Sequence, residues 1–205
     1  MKNLEKIIVV DVETSGLDPA RHAVVEFGFA ALMDERTFSM RCRLPFGAEW
    51  SQEALNVNGL TLEQITDLSM PLPFEGLMAF YDAFGWEEFL FAGQNIGSFD
   101  IPFLRATMKA GTALGAPKWP KMRQRCLDMH SVAIGYLPPL TALKESESPI
   151  CEAPSALYAA DVMQMDANSI YRLLDMQQEP TPHRALTGAR MEREALRIML
   201  GLEGK

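Results

Sequence analysis

The stretch KIIVVDVETSGLDP, residues 6–19, decides the fold. Its first half is β-branched and almost continuously apolar, which is typical of a strand buried on both faces inside a sheet. Its second half is a cluster of turn-forming residues that ends the strand. Two acids, Asp11 and Glu13, stand at the end of this strand, and residues two apart on a strand point to the same face. The sequence therefore predicts a central strand that presents two neighbouring carboxylates.

This pair of acids has two interpretations. Two negative charges side by side in a region of low dielectric constant are costly unless a positive charge pairs with them. A divalent cation meets that need, and hard oxygen ligands suit Mg²⁺ or Mn²⁺. Alternatively, Asp11 and Glu13 are solvated acids at a strand end.

The rest of the chain predicts a mixture of strands and helices. Apolar runs predict strands at 23–32 and 37–44, joined as a hairpin, and further strands at 88–92 and 125–128. Apolar spacing predicts helices at 62–68, 73–84 and 100–111, from 129 onward, and over 156–176 and 183–200. This order of elements predicts a single α/β domain over residues 1–205, with a proline-rich loop insertion at about 135–154.

Composition excludes several classes of protein. The 205 residues include 19 basic and 27 acidic ones, for a net charge of −8, and 48% are hydrophobic. Such a chain can bury a core, so it is not mainly disordered. The aliphatic run at residues 7–10 is far short of the ~20 residues that a membrane span needs, so we expect no membrane partner. The acidic balance excludes a protein that coats nucleic acid, but not an enzyme that touches it locally. Three cysteines without a CxxC pair predict free thiols and a cytoplasmic location.

Two further motifs carry residues that could do chemistry. Asp100 ends the motif NIGSFD, residues 95–100, where it follows an apolar strand and opens a helix. The helix dipole favours a carboxylate there, and Asp is also a good helix N-cap. His183 begins the final predicted helix and could act as a general base on a water, because imidazole changes charge near neutral pH. It could equally be an ordinary helix-start residue after two prolines.

Taken together, the motifs at residues 11–17 (DVETSGL), 95–100 and 183–186 (HRAL) resemble the DnaQ-like 3′–5′ exonuclease family, in its histidine-bearing DEDDh branch. The resemblance runs in order from residue 7 to about residue 200. Weaker matches lie at residues 26–28, 57–61 and 100–104. It implies a ribonuclease-H-like exonuclease fold, with a mixed central sheet of about five strands flanked by helices.

The resemblance also implies an activity. Members of this family hydrolyse nucleic-acid 3′ ends to nucleoside 5′-monophosphates with two metal ions, Mg²⁺ or Mn²⁺. By this resemblance Asp11 would bridge both metals, Glu13 and Asp100 would complete part of the shell, and His183 would take a proton from the attacking water. The implied partner is single-stranded nucleic acid or a 3′ end. The residues that would hold it are Thr14, Ser15, Gly16, Leu17, Asn95 and Phe99.

One position departs from the family pattern. The family has an aspartate five residues after the histidine, where this chain has Gly188, so we expect one of the two metals to bind weakly. One interpretation is a catalytically impaired protein that binds nucleic acid or a partner without hydrolysis. A second is that Glu192 substitutes, because it shares a helix face with position 188 and leans toward the helix start. A third is that Tyr171 and Asp175 follow the Tyr-x-x-x-Asp pattern of another branch.

A basic segment suggests a route for the substrate. Residues 101–127 contain six basic residues and no acidic one, and Trp119 lies among them. Such a segment could steer a phosphate backbone while Trp119 stacks on a base. Alternatively, the charges are a solvated surface and Trp119 packs on the core. The 135–154 segment is a candidate for substrate selection; alternatively, it is a disordered insertion.

Overall fold

The computed structural model describes residues 4–136 and 166–202. Five strands occur in this part of the chain: β1 (Ile7–Thr14), β2 (Val24–Ala31), β3 (Thr37–Arg41), β4 (Leu90–Gly93) and β5 (Leu127–Asp128). The helices of the same part are α1 (Gln52–Asn58), α2 (Leu62–Ile65), α3 (Pro73–Phe84), α4 (Asp100–Ala113), α5 (Met129–Tyr136), α6 (Ala167–Leu173) and α7 (Ala185–Met199).

The strands form one mixed sheet in the order β3-β2-β1-β4-β5. The central strand, β1, is antiparallel to β2 and parallel to β4. Its pairing with β4 reaches only from Ile7 to Val9, so the acidic end of β1 runs beyond its neighbour. The predicted buried central strand and the predicted mixed α/β sheet of five strands are confirmed.

Successive residues of β1 face opposite helix layers, because side chains alternate along a strand. Ile8 and Val10 belong to a core cluster shared with α3 and α4. Val9 belongs to a second cluster, shared with α5, α6 and α7. Asp11 and Glu13 continue the second set, so their side chains project from the face of the sheet that α7 covers.

Several predicted boundaries differ from the structure. Helix α1 was not predicted, although Ser51 caps its start and Gly59 ends it in a left-handed conformation, with a φ of 62°. The final helix begins at Ala185 rather than at residue 183, so His183 lies in the preceding segment. Strand β3 ends at residue 41 rather than 44, where the chain leaves the sheet.

Other predictions fall outside the described residues. Of the helix predicted over 156–176, the described part is helical from Ala167 to Leu173. The insertion predicted at 135–154 begins in the last two residues of α5, and the rest of it lies outside the described residues. The longest described helix, α7, has 15 residues, and no helix in the described ranges is long and apolar enough to cross a membrane.

Candidate active site

Asp11, Glu13 and Asp100 gather at the end of the central strand. Asp100 opens α4, is only 3% exposed, and accepts a hydrogen bond from the backbone N–H of Val12 at 3.1 Å through Oδ1. Strand β4 pairs with β1 only as far as Val9. At Val12, therefore, the Asp100 carboxylate accepts the N–H that a neighbouring strand would otherwise bind. This hydrogen bond fixes Asp100 beside the strand residue that separates the two acids of β1.

The start of α7 lies on the sheet directly beside these acids. Gly28 of β2 pairs with Asp11 in the sheet register, and a Cβ on Gly28 would overlap the main-chain carbonyl of Ala185. Arg184 adds an ion pair, with its Nη1 3.5 Å from Oε2 of Glu26, and donates a hydrogen bond of 3.1 Å to the last carbonyl of α1. The motifs at residues 26–28 and 183–186 are therefore the two sides of one helix-docking contact.

His183 is held at the edge of the same region. Its backbone N–H donates to the carbonyl of Val57 at 3.0 Å, which ties the segment before α7 to α1. Its partly exposed imidazole places Nδ1 3.9 Å from Oε2 of Glu179. Both side chains line a cavity of about 540 Å³. The lining residues of this cavity are Asp11, Val12, Glu13, Thr14, Leu17, Ser51, Glu53, Ala54, Val57, Phe99, Glu179, His183 and Glu192.

Two more acids join the three predicted ones. Glu192 of α7 is 6% exposed, and its Oε2 is buried without a hydrogen-bond partner. Glu179, in the segment between α6 and α7, has a buried Oε1 that likewise lacks a partner. Sequence reasoning named Glu192 but missed Glu179, because only its spacing of four residues before His183 marks it. Five carboxylates thus converge, two of them with an unsatisfied oxygen.

Burial and mutual repulsion raise the pKa values of these acids. Burial, together with the Glu13 charge, raises the pKa of Asp100 to about 8. Burial, then Glu179 and Glu26, raises the pKa of Glu13 to about 7, although Arg184 acts in the opposite direction. Burial, followed by Glu192 and Asp100, holds the pKa of Asp11 well above its ordinary value. A cation at this point would be strongly favoured, because it would offset both causes.

The donor set suits a hard divalent cation, since carboxylate oxygens are the ligands that Mg²⁺ and Mn²⁺ prefer. The two unsatisfied carboxylate oxygens also fit this assignment. Within residues 4–136 and 166–202, however, no group of three or more Asp, Glu, His or Cys side chains is arranged so that it could hold a metal ion. Asp100 and Glu192 each accept a backbone N–H instead, from Val12 and Gln94. Binding a cation would therefore require carboxylates to rotate.

The carboxylates of two neighbouring acids occupy the space beside Gly188. A Cβ on Gly188 would overlap Oδ2 of Asp11 and would lie 3.3 Å from Oε1 of Glu179. The missing side chain leaves room that these two carboxylates occupy.

Only some of the residues predicted to hold the substrate line this cavity. Thr14, Leu17 and Phe99 line the cavity, and Leu17 is 80% exposed. Ser15 is fully buried, and its hydroxyl donates to the carbonyl of Glu49 at 2.6 Å and accepts from a backbone N–H at 3.1 Å. The Ser15 side chain is therefore committed to joining loops.

Gly16 and Asn95 also have local structural roles. A Cβ on Gly16 would overlap the imidazole ring of His22, which packs against this turn. Asn95 is exposed, has a φ of 53°, and its carbonyl accepts the N–H groups of Ser98 and Phe99. Neither Gly16 nor Asn95 lines the cavity.

The structure does not bring Tyr171 and Asp175 together at the site. Tyr171 is fully buried, and its hydroxyl has no hydrogen-bond partner. Burial and the nearby charges of Glu192 and Glu179 raise the pKa of this phenol. Asp175 lies beyond the end of α6, exposed and with a φ of 55°, and it does not line the cavity.

Trp119 of the basic segment packs on the core. Its ring stacks on Trp86 at a centroid distance of 5.8 Å and lies 6.0 Å from Tyr81. Of the two interpretations of Trp119, the structure agrees with the one in which its ring packs on the core. The exposed Lys118 and Lys121 flank it, and neither lines the cavity of the acids.

A second cavity, of about 570 Å³, lies between the 19–23 turn, residues 43–48 and α4. It is similar in volume to the first, but none of its lining residues is acidic. The chemistry of the side chains, and not cavity size, therefore singles out the first cavity as the candidate active site.

Comparison with known proteins supports the fold. Neither the protein-family models nor the curated proteins contain a match to this chain. Among solved structures, the nuclease domain of 3′hExo, described as a DEDDh family member bound to rAMP, matches with a TM-score of 0.67 and 16% identity over 98% of this chain and 94% of that one. Cell-death related nuclease 4 (CRN-4) matches with a TM-score of 0.66 and 12% identity over 97% of this chain and 64% of that one.

The zinc-bound complex of E. coli ExoI with single-stranded DNA gives a TM-score of 0.64 at 12% identity, over 97% of this chain and 41% of that one. At these identities the likeness establishes the fold, and the resemblance read from the sequence is confirmed at that level. This chain spans only 64% of CRN-4 and 41% of ExoI.

Proposed function

We propose that this chain, whose fold is that of the DEDDh exonucleases, is a metal-dependent 3′–5′ exonuclease. Its products would be nucleoside 5′-monophosphates. One observation carries the proposal: Asp11, Glu13 and His183 line a single cavity, and Asp100 is hydrogen-bonded to the backbone of Val12, the residue between the two acids of β1. Acids that repel one another in a buried place, next to an accessible imidazole, fit phosphodiester hydrolysis better than a purely structural role.

The residues divide the chemistry between them. Asp11, Glu13 and Asp100 would hold Mg²⁺ or Mn²⁺, which when bound would supply an activated water and stabilise developing charge on the phosphate. His183 would accept the proton of the attacking water, because its imidazole is the accessible base on the cavity wall. Glu179, with Oε2 3.9 Å from Nδ1 of His183, would stabilise the resulting imidazolium.

The apolar part of the cavity lining suits a nucleotide. Leu17, Val57 and Phe99 give it an apolar surface on which a base and sugar can pack. The volume of about 540 Å³ is typical of small-molecule sites and has room for one terminal nucleotide. We therefore propose single-stranded or frayed 3′ ends as the substrate. The free thiols of Cys42 and Cys126 fit a reducing, cytoplasmic location, which is also part of the proposal.

The proposal is tested with single strands labelled at either end, in the presence of Mn²⁺. We expect stepwise release of mononucleotides from the 3′ end only. Asp11→Asn should abolish the activity, and His183→Ala should lower it by roughly 10²–10⁴-fold. Glu194→Gln, an exposed acid on the same helix as Glu192, is the matched control and should keep full activity. Activity that survives Asp11→Asn, or cleavage from the 5′ end, would contradict the proposal.

A second candidate function is favoured by Gly188. Without a carboxylate at that position, the chain could bind nucleic acid or a partner through the same cavity without hydrolysis. In that case the parent protein retains labelled single strands at millimolar Mn²⁺ and releases no nucleotide. Asp11→Asn then changes neither result.

A further inference from the structure

We propose that Glu179 supplies the fourth carboxylate, the one that the resembled family carries at position 188. The inference rests on the proposed function and deepens it by naming a residue of the metal site that the sequence motifs do not contain.

The space beside Gly188 supports this assignment. An aspartate there would project from a Cβ that, in this chain, would lie 3.3 Å from Oε1 of Glu179. Oε1 of Glu179 therefore lies beside the point where a side chain on residue 188 would begin, and Oδ2 of Asp11 occupies that point. Asp11 is the other acid against that point, so Glu179 and Asp11 flank the same position.

Two carboxylate oxygens of the site lack a hydrogen-bond partner. Oε1 of Glu179 and Oε2 of Glu192 are both buried without a hydrogen-bond partner. The Glu192 side chain lines the cavity although its residue is only 6% exposed. Buried polar atoms are nearly always paired in native proteins, so two such oxygens in one acidic cavity point to a positively charged ligand.

Glu179 fits the position of the missing ligand better than Glu192 does. Glu192 already accepts the backbone N–H of Gln94, and its Oε2 lies 3.1 Å from the place of a Cβ on Gly93, at the end of β4. Glu179 lies on the other side, between position 188 and the imidazole of His183. In the resembled family the missing acid follows the histidine by five residues, and Glu179 reaches the same neighbourhood from four residues before it.

The segment that carries Glu179 is anchored on both sides. The Glu179 N–H donates to Oδ1 of Asn168 in α6 at 3.0 Å. The His183 N–H donates to the carbonyl of Val57 in α1 at 3.0 Å. These two bonds hold the backbone of the segment in place, so the Glu179 side chain projects from a fixed position.

Calorimetric titration with Mn²⁺ alone tests the inference without any substrate. We expect Glu179→Gln to weaken the Mn²⁺ affinity at least tenfold, Glu192→Gln to weaken it clearly less than Glu179→Gln does, and the control Glu194→Gln to change it less than threefold. The Mn²⁺-induced rise in melting temperature should shrink most in Glu179→Gln, because a ligand stabilises the state that binds it. Equal losses in Glu179→Gln and Glu192→Gln, or a loss in Glu192→Gln only, would overturn the inference.

Moving the carboxylate back provides a second test. Gly188→Asp alone places a new side chain onto Oδ2 of Asp11 and against Glu179, so we expect no gain in Mn²⁺ affinity. Gly188→Asp combined with Glu179→Ala should bind Mn²⁺ more tightly than Glu179→Ala alone, and Gly188→Ala is the control for the overlap with Asp11. If Gly188→Ala binds Mn²⁺ as the parent does and the combined variant binds no better than Glu179→Ala, the two positions are not equivalent and the inference is wrong.

The two proposals fail in different ways. Glu179-dependent Mn²⁺ binding without nucleotide release would leave this inference standing and refute the exonuclease. Nucleotide release with Mn²⁺ binding that is unchanged in Glu179→Gln would do the reverse.

Discussion

Arg184 is the residue that joins the elements around the site. It pairs with Glu26, a buried residue of β2, and it reaches the last carbonyl of α1. The side chain of Asn58, at the same end of α1, donates to the carbonyl of Thr14 at the end of β1. One cation thus neutralises a buried acid and links the start of α7 to the strand that carries Asp11.

Replacing Arg184 by alanine should destabilise the protein by about 1–2 kcal/mol. The loss leaves Glu26 with Arg41 as its remaining ion-pair partner, and the partial exposure of Arg184 keeps the cost below that of a fully buried pair. In thermal unfolding this corresponds to a decrease in Tm of roughly 2–8 °C. Arg190→Ala, an exposed arginine on α7, is the control and should change the stability by less than about 0.5 kcal/mol. Equal effects of the two variants would contradict the role assigned to Arg184.

At this scale the sequence predicted those residues whose local pattern carries information. Asp11, Glu13, Asp100 and His183 stand in recognisable motifs, and the structure places them close together. Glu179 could not be found in this way, because the role proposed for it comes from its position beside Gly188 in space and not from its neighbours in sequence. The commitment of Ser15 to loop contacts is likewise a property of long-range hydrogen bonds.

Among the elements, α7 decides whether the site exists. Its first turn lies on Gly28, beside Asp11, and it supplies Glu192 from its inner face. Close approach of a helix to a sheet requires a residue without a side chain at the crossing point. Gly28 is therefore as important for the site as the acids are, although it has no functional group.

Gly28→Ala should destabilise the protein by about 1–3 kcal/mol, because the new methyl group overlaps backbone atoms that cannot rotate away. It should also lower the proposed nuclease activity, since α7 has to move away from Asp11. Gly135→Ala is the matched control: a Cβ there meets no atom within 4 Å, and the residue lies in α5. Urea unfolding should show Gly135→Ala to be neutral or slightly stabilising. A Gly28→Ala protein as stable as the parent would show that α7 is not pressed against the sheet.

Elements with a strong apolar pattern were predicted well, and short ones were not. Strand β1 and helices α3 and α4 show their burial directly in the sequence, with boundaries within a few residues of those observed. Helix α1 was missed because it buries only Leu55 and Asn58, too few to form an apolar stripe. The end signals, Ser51 and Gly59, were present, but end signals without a periodic interior do not identify a helix.

For the molecule as a whole, the net charge of −8 conceals an uneven distribution. Part of the negative charge is concentrated in the cavity, where burial raises the pKa values of the acids. The buried acids therefore lower the free energy of unfolding of the metal-free protein. Unfolded carboxylates lose their protons near pH 4, but in the folded protein Glu13 and Asp100 keep theirs up to about pH 7 and about pH 8.

The stability of the metal-free protein should consequently fall as the pH rises from about 5 to about 8. In this window the folded state binds more protons than the unfolded state, so raising the pH favours unfolding. We expect Tm to decrease by several degrees across this range. The double variant Glu13→Gln/Asp100→Asn should reduce the dependence without removing it, because the pKa values of Asp11 and Glu192 are raised too, and Glu194→Gln should leave it unchanged. A Tm of the parent protein that is constant or increases over this window would contradict the assigned pKa values.

The docking of α7 on Gly28 also has a consequence for the order in which the site is made. The ribosome synthesises β1 and β2, with two of the acids, long before it reaches His183 and α7. Until α7 emerges, the face of the sheet that carries Val9 and Asp11 lacks its cover, and no base stands beside the carboxylates. Contacts between such distant parts of a chain also form late in folding. The candidate site of a growing chain is thus incomplete until its last helix has been synthesised and has docked on the sheet.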